Sequence, residues 1–166
     1  MSGQPTKAQS TQSVEIMSVP PPRDDPDPMT MRMRAVRVLV ADDDALIRGA
    51  LSELVRSRSE MELVGAAVDA ESAIAMAVSA HPDVAVIDYR MPGGGVHAAR
   101  EIIRLSPQTA VLCLSAYGDP GTASQMRSAG AIELLVKGIS TNAEIVASIR
   151  AAAGIGKPYD DRSTDG

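Results

Sequence analysis

Side chains able to do chemistry stand directly after four short apolar runs of this sequence. They are carboxylates, a hydroxyl and an ammonium group: Asp42, Asp43 and Asp44 after Val36–Ala41, Asp88 after Val84–Ile87, Ser115 after Ala110–Leu114, and Lys137 after Ile132–Val136. Carboxylates held together repel one another, and a divalent cation relieves that repulsion. Because oxygen ligands alone favour Mg²⁺ over Zn²⁺, these residue types predict a magnesium site that can also meet phosphate oxygens.

An aspartate in such a site can attack a phosphoryl group and carry it as an acyl phosphate. Positioning and charge neutralisation supply most of the catalysis of that transfer. In this interpretation Lys137 holds one phosphoryl oxygen as a point charge and the Ser115 hydroxyl donates to another. The small Ala116 leaves room for the phosphoryl group to enter.

Each of these residues also has an ordinary structural interpretation. Asp44 fits a helix N-cap, a single Asp or Ser after a strand is commonly a turn residue, and a single Lys is commonly a solvated surface charge. As a set, these structural interpretations are less convincing, because all the residues follow the carboxyl ends of predicted strands. Random placement would scatter them between both ends of the strands.

Short apolar runs alternate with segments whose apolar residues recur at helical spacing. The predicted strands are Val36–Ala41, Leu63–Val68, Val84–Ile87, Ala110–Leu114 and Ile132–Val136; the predicted helices are a segment with apolar residues from Leu46 to Val55, then Ala70–Ala80, Val96–Leu105, Thr122–Ala129 and Ala143–Ala153, the last capped by Thr141 or Asn142. This alternation predicts an α/β fold, a doubly wound (βα)5 flavodoxin-like three-layer sandwich with a five-stranded parallel sheet. Such sheets bind ligands at the carboxyl ends of their strands.

Composition excludes several classes of protein. The chain has 166 residues, a net charge of −5, 45% hydrophobic residues, and neither Phe nor Trp. An acidic chain with few rings is a poor candidate for direct nucleic-acid binding through a basic face or stacked bases. A single Cys, the lack of an apolar signal segment, and apolar runs too short for a membrane span together predict a cytoplasmic protein without membrane contact.

Five sequence motifs resemble the receiver domain of two-component response regulators. They are Val38-Leu39-Val40-Ala41-Asp42-Asp43-Asp44, Asp88-Tyr89-Arg90-Met91-Pro92, Ser115-Ala116-Tyr117, Ala129-Gly130-Ala131 and Lys137. The resemblance covers about residues 36–153, and it is greatest to the receivers that are usually attached to a helix-turn-helix (LuxR/NarL-type) output module. It implies a phosphorylation-controlled switch rather than a conventional enzyme.

The resemblance also implies a role for each site residue. Asp88 would accept phosphate from a histidine kinase, with Mg²⁺, or Mn²⁺ in its place, as the cofactor. Asp88, Asp43 and the main-chain carbonyl of Arg90 would bind the metal directly, and Asp42 would act through water. Ser115 and Lys137 would sense the phosphoryl group. Ala116 and Tyr117 would flank the site, and Tyr117 would affect how quickly phosphate is lost.

Three departures from the family pattern concern the output step. The family usually has an aromatic residue three positions before its lysine, and this sequence has Leu134 there. Gly138 replaces the proline that often follows the lysine, and Gly93-Gly94-Gly95 predicts a flexible loop beside Asp88. Activation through an aromatic rotamer at position 134 is therefore not expected.

The chain is predicted to divide into a disordered leader at residues 1–34, a receiver domain at 35–154 and a flexible tail at 155–166. An alternative is that translation starts at Met29, Met31 or Met33. The tail is too short for a helix-turn-helix module, so we expect no covalent output domain and a signal passed to partner proteins.

The expected partners are a sensor histidine kinase or phosphotransfer protein and an unknown downstream protein. A homodimer through the face formed by the fourth helix, fifth strand and fifth helix is a further expectation. The candidate exposed residues on that face are Met126, Arg127, Glu133, Glu144 and Arg150.

Three alternatives stay open. The chain could be a pseudo-receiver that docks without being phosphorylated, which Leu134 suggests, or the receiver part of a DNA-binding transcription regulator. An aspartyl-phosphate phosphohydrolase with Asp42 or Asp44 as the nucleophile is the third, although Ala45-Leu46 stands where such enzymes would need Thr or Ser.

Overall fold

A computed structural model describes residues 34–154, and the predicted leader and tail lie outside these residues apart from Arg34. Strands and helices alternate along the described chain. The strands are β1 (Val36–Ala41), β2 (Met61–Ala67), β3 (Val84–Asp88), β4 (Ala110–Ser115) and β5 (Glu133–Val136), and the helices are α1 (Ala45–Arg56), α2 (Ala70–Ala80), α3 (Gly95–Leu105), α4 (Pro120–Ser128) and α5 (Asn142–Ala152). The ten elements match the predicted ones, with shifts of one or two residues at several ends.

The five strands form one parallel sheet in the order β2-β1-β3-β4-β5. The chain leaves β1 for the outer strand β2 and then crosses back to β3 on the other side. The order therefore reverses between β1 and β3, where the carboxyl ends of neighbouring strands diverge and leave a crevice. The predicted doubly wound fold is confirmed, and Asp42 and Asp88 stand at this reversal point.

Two hydrophobic layers cover the two faces of the sheet. Alternate β1 residues point to opposite faces, with Leu39 packed among residues of α2, α3 and α4 and Val38 packed among residues of α1 and α5. Both side chains are fully buried. Because strands covered on both faces need mostly apolar residues, β3 is a continuous apolar run up to Asp88, and β1 is interrupted only by the half-buried Arg37 before Asp42 follows it.

Helix caps fix where the chain turns from strand to helix. The Asp44 carboxylate accepts hydrogen bonds from the first turn of α1, as predicted for an N-cap. At α5, Thr141 and Glu144 form a reciprocal capping box, which decides between the two predicted caps. None of the helices between residues 34 and 154 has the length and apolar character that crossing a membrane requires.

Cys113, the one cysteine of the chain, lies fully buried in β4. Burial, with a smaller contribution from the charge of Asp88, raises the pKa of its thiol from 9.0 to about 12. We expect the native protein to react very slowly with an aromatic disulfide reagent at pH 8, since the thiolate is the nucleophile, and to react fully once unfolded in urea. The raised pKa also makes stability fall as the pH rises from about 9 towards 12. Fast reaction of the folded protein with the disulfide reagent would contradict the burial of the Cys113 thiol.

Candidate functional site

Three carboxylates meet at the reversal point of the sheet. Asp42 follows β1, Asp43 comes next, and Asp88 ends β3; one oxygen of each lies within 4.8 Å of the others. Asp42 and Asp88 are buried, whereas Asp43 is exposed. The sheet therefore brings together the three carboxylates that the sequence predicts, with one of them open to solvent.

The ammonium group of Lys137 reaches into this cluster from the end of β5. Its Nζ lies 2.7 Å from Asp42 Oδ2 and 2.9 Å from Asp88 Oδ1. The Lys137 main-chain N–H donates to the Ser115 carbonyl at 2.8 Å, which extends the β4–β5 pairing by one step and aims the lysine at the site. The four charged groups thus come from the ends of three strands.

The site perturbs the pKa of two of its groups. Burial raises the pKa of the Asp88 carboxyl, and the negative charges of Asp42 and Asp43 add to this, against the opposing effect of Lys137. Burial lowers the pKa of Lys137, but its hydrogen bonds and attraction to Asp42 and Asp88 outweigh that effect, so the net shift is upward. The lysine is therefore charged at neutral pH and its positive charge offsets only part of the negative charge.

The oxygen atoms of the cluster suit a hard divalent cation. Asp42 Oδ1 accepts a hydrogen bond from the Asp44 N–H at 2.9 Å. Asp42 Oδ2 is buried and pairs with the Lys137 ammonium at 2.7 Å. Three carboxylates that share a single ammonium group form the all-oxygen donor set that Mg²⁺ prefers, so the residues fit this metal.

Ser115, Ala116 and Tyr117 line the edge of the site after β4. The buried Ser115 hydroxyl oxygen accepts a hydrogen bond from the Tyr117 N–H at 3.2 Å. Ala116 is exposed, and the Tyr117 ring is 63% exposed. The guanidinium carbon of Arg90 lies 5.8 Å from the centre of that ring, within the range of a cation–π contact.

Main-chain hydrogen bonds close the loop from Asp88 to α3, whose flexibility stays a prediction. The Gly94 N–H donates to the Met91 carbonyl at 2.9 Å, and the Gly95 N–H donates to the Tyr89 carbonyl at 3.1 Å. Pro92 accepts a hydrogen bond from the Ala70 N–H at 2.9 Å. Crowding requires glycine at position 95, where a Cβ would lie 2.3 Å from the Asp88 carbonyl oxygen, whereas Gly94 has open space and a φ of +86°.

Leu134 and Gly138, two of the departures from the family pattern, have different surroundings. Leu134 is half-buried and packs against the hydrophobic layer of α2, α3 and α4. Gly138 has a φ of +75°, and a Cβ there would meet nothing within 4 Å. Position 138 therefore needs glycine for its backbone angle rather than for space.

Two contacts near the site were not anticipated from the sequence. The Tyr89 hydroxyl donates to Gln125 Oε1 on α4 at 2.7 Å, and Arg48 Nη1 donates to the Asp42 carbonyl at 2.9 Å. Arg48 stands four residues after the cap of α1, and that spacing places it one turn from the acidic residues.

The candidate docking face needs one correction: Met126 is only 1% exposed and belongs to the hydrophobic core. Arg150 is exposed, as predicted, and pairs with Glu60 beside the start of β2. Arg127, Glu133 and Glu144 are exposed.

Comparison with known proteins agrees with the fold. The family model of the response regulator receiver domain matches residues 38–150. The chain is 38% identical over 104 residues to a protein-glutamate methylesterase/protein-glutamine glutaminase of Dechloromonas aromatica, covering 61% of this chain and 29% of that protein. It is 32% identical over 119 residues to the transcriptional regulatory protein LiaR of Bacillus subtilis, covering 71% of this chain and 56% of that protein.

A solved two-component response regulator of the LuxR family from Aurantimonas is similar in structure. The TM-score is 0.67 at 29% identity, over 73% of this chain and 87% of that chain. Fold and site define a receiver of two-component signalling. The chain belongs to the response regulator receiver domain family, and it spans about a third to a half of the length of the two curated relatives named above.

Proposed function

We propose that this chain is a phosphorylation-controlled signalling switch that accepts a phosphoryl group on Asp88 with the help of Mg²⁺. The observation that carries the proposal is the meeting of Asp88 with Lys137 and the Asp42–Asp43 pair at the reversal point of the sheet. A nucleophilic carboxylate, a fixed cation and a set of metal-binding oxygens are the groups that phosphoryl transfer to a protein needs.

In the proposed transfer, an Asp88 carboxylate oxygen forms a bond to phosphorus as the bond from phosphorus to the donor breaks. The electron pair of that bond leaves with the donor, which is the imidazole of a phosphohistidine or the carboxylate of a small acyl phosphate. Asp43, Asp88 and the Arg90 carbonyl would hold Mg²⁺ directly and Asp42 would hold it through water. When bound, the metal would neutralise charge that develops on the phosphoryl oxygens.

Lys137 and Ser115 would complete the phosphoryl pocket. Lys137 already contacts Asp88, so its ammonium stands next to the place where a phosphoryl oxygen would arrive. The Ser115 hydroxyl accepts the Tyr117 N–H and keeps its own proton free to donate. Ala116 would give the group space, and the exposed Tyr117 would control access of the water that removes it.

The output step would pass from these residues to a partner protein. Leu134 offers no aromatic side chain to reorient, so movement of Ser115 and Lys137 towards the phosphoryl group would order the loops after β4 and β5 instead. Leu134 also favours the second candidate, a pseudo-receiver that docks regardless of phosphate. The two candidates differ in whether partner binding changes when Asp88 is replaced by Asn.

The proposed partners are a sensor histidine kinase or phosphotransfer protein upstream and an unidentified protein downstream. A homodimer would use the face of α4, β5 and α5, where Arg127, Glu133 and the 60% exposed Ile132 are available. We propose a cytoplasmic signalling protein that is not itself an enzyme. The methylesterase relatives are enzymes, but the alignment to the Dechloromonas protein covers only 29% of its length.

The test is intact-mass spectrometry after incubation with a small acyl phosphate and Mg²⁺. We expect wild type to gain the mass of one phosphoryl group and Asp88→Asn to gain none. Asp44→Asn is the matched control, because Asp44 is a helix cap beside the site and should leave the adduct intact. Absence of an adduct on wild type with any phosphodonor would reject the proposal. Size-exclusion chromatography of the same samples reports whether phosphate changes oligomeric state.

A further inference from the structure

The turn that carries Asp42 and Asp43 is held from α1 by one side chain. Arg48 Nη1 donates to the Asp42 carbonyl at 2.9 Å and makes a longer contact of 3.4 Å with the Asp43 carbonyl. The Arg48 main-chain N–H also donates to the Asp44 carbonyl at 2.9 Å. Arg48 is half-buried, so its guanidinium is partly shielded from water.

Within residues 34–154, Arg48 is the only hydrogen-bond donor to these two carbonyls. The rest of the turn is tied at other atoms: the Asp42 N–H donates to the Ala67 carbonyl at 3.1 Å, and Asp42 Oδ1 accepts from Asp44. Those bonds hold Asp42 itself. The Asp44 N–H bond also restrains the peptide unit after Asp43, whose carbonyl Arg48 contacts at 3.4 Å. Within residues 34–154, the peptide unit before Asp43 is held at its carbonyl by Arg48 alone.

Asp43 depends on this support more than the other two carboxylates. Asp42 and Asp88 each contact the Lys137 ammonium, whereas the Asp43 carboxylate has no hydrogen bond or ion pair within the described part of the chain. It is also the exposed member of the cluster. The position of its oxygens therefore follows from the position of its backbone.

We propose that Arg48 is a positioning residue for metal binding: by holding the carbonyls of Asp42 and Asp43 it keeps the Asp43 carboxylate where a divalent cation can be bound. This inference rests on the proposed function, since it concerns the same Mg²⁺ site. Residues that orient metal ligands commonly change metal affinity tenfold to a hundredfold when they are removed.

The sign of the effect separates positioning from charge. Arg48 carries a positive charge beside a cation site, so charge alone would make Arg48→Met bind Mg²⁺ more tightly. Loss of positioning would make the same variant bind Mg²⁺ more weakly. Arg48→Lys keeps the charge, but its shorter side chain ends before the Nη1 position that contacts both carbonyls. Charge alone would therefore leave its affinity for Mg²⁺ unchanged, whereas loss of positioning would weaken it.

The experiment is calorimetric titration of Mg²⁺ into wild type, Arg48→Met and Arg48→Lys, with Arg100→Met as a control for loss of a distant exposed charge on α3. We expect the Kd to rise roughly tenfold in Arg48→Met and several-fold in Arg48→Lys, and to stay unchanged in Arg100→Met. Urea unfolding of each variant verifies that the protein is folded. If Arg48→Met does not fold, Arg48→Lys carries the test.

A Kd equal to or below that of wild type in either Arg48 variant would overturn the inference while leaving the Mg²⁺ site in place. A wild type that binds no Mg²⁺ would instead overturn the metal part of the proposed function, and this inference with it. The two failures are therefore distinguished by the wild-type titration alone.

Discussion

Lys137→Met is expected to lower the free energy of unfolding by about 3 kcal/mol at pH 7 in metal-free buffer. The lysine contacts two buried carboxylates, Asp42 at 2.7 Å and Asp88 at 2.9 Å, and removing it leaves both without a counter-charge. A buried charge without a partner has lost its hydration and gains nothing in return. Urea unfolding followed by circular dichroism measures the loss.

The pH dependence of that loss has a definite sign. Burial already raises the pKa of Asp88 above 3.8, and removing Lys137 removes the interactions that oppose the rise. A carboxyl whose pKa is raised by folding favours the folded state only while protonated, so stability falls as the pH rises through the folded pKa. The deficit of Lys137→Met should therefore shrink as the pH falls towards 4, and added Mg²⁺ should also reduce it.

Arg104→Met is the matched control for the lysine variant. Arg104 pairs with Glu101 at 2.6 Å on the exposed surface of α3, so the geometry is similar but both charges stay hydrated. We expect a loss below about 1 kcal/mol, because exposed ion pairs contribute little. Equal losses of stability in Lys137→Met and Arg104→Met would show that burial of Asp42 and Asp88 does not increase the contribution of their ion pairs with Lys137.

Most of the fold was predictable from the sequence because it depends on patterns within single segments. Every strand is a short, mostly apolar run, and every helix begins near a recognisable polar cap or repeats apolar residues at helical spacing. Given a parallel sheet, the residues after each strand must meet at one edge. That rule alone placed Asp42, Asp88 and Lys137 together, and the distances agree.

The sequence did not predict the burial of Met126, or the contacts of Arg150 and Arg48, because these depend on how separate segments pack together. Met126 lies in α4, a short helix with few apolar residues, so its sequence does not show which face is buried. Arg150 and Glu60 are 90 residues apart, and no local pattern pairs them. Arg48 looks like an ordinary charged helix residue until the Asp42 carbonyl is seen beside it.

Leu134 in β5 and Tyr89 beside Asp88 differ in the contacts that they make. Position 134 holds a packed leucine rather than an aromatic ring. The Tyr89 hydroxyl, by contrast, joins the residue after Asp88 to Gln125 on α4, across the same region of the fold. The residue after Asp88 is therefore hydrogen-bonded to α4 through a contact that does not involve Leu134.

The loop of three glycines beside Asp88 shows most clearly why sequence alone is insufficient. Glycine in a sequence indicates freedom of the backbone, but at Gly95 it reflects the close approach of two main-chain segments. Gly95→Ala is accordingly expected to lower the free energy of unfolding by about 3 kcal/mol, near the upper end for overpacked sites. The added Cβ would lie 2.3 Å from the Asp88 carbonyl oxygen and 2.7 Å from Tyr89 Cα, and neither backbone atom can rotate away.

The same substitution should reduce phosphoryl uptake at Asp88. Relief of the clash must displace either the start of α3 or the end of β3, and the latter carries the acceptor carboxylate. Urea unfolding with and without Mg²⁺, and the mass-spectrometric adduct, measure the two effects separately. Uptake at the wild-type rate in a destabilised variant would mean that α3 moves and the acceptor does not.

Two other glycines are controls for the Gly95 variant. Gly49 lies inside α1 with nothing within 4 Å of an added Cβ, so Gly49→Ala should raise stability by up to about 1 kcal/mol. Gly94 also has open space but a φ of +86° and a ψ of 129°, so Gly94→Ala shows the cost of backbone strain without a clash, about 1–3 kcal/mol. If Gly95→Ala is no more destabilising than Gly49→Ala, close approach of the backbones does not explain the glycine beside the acceptor.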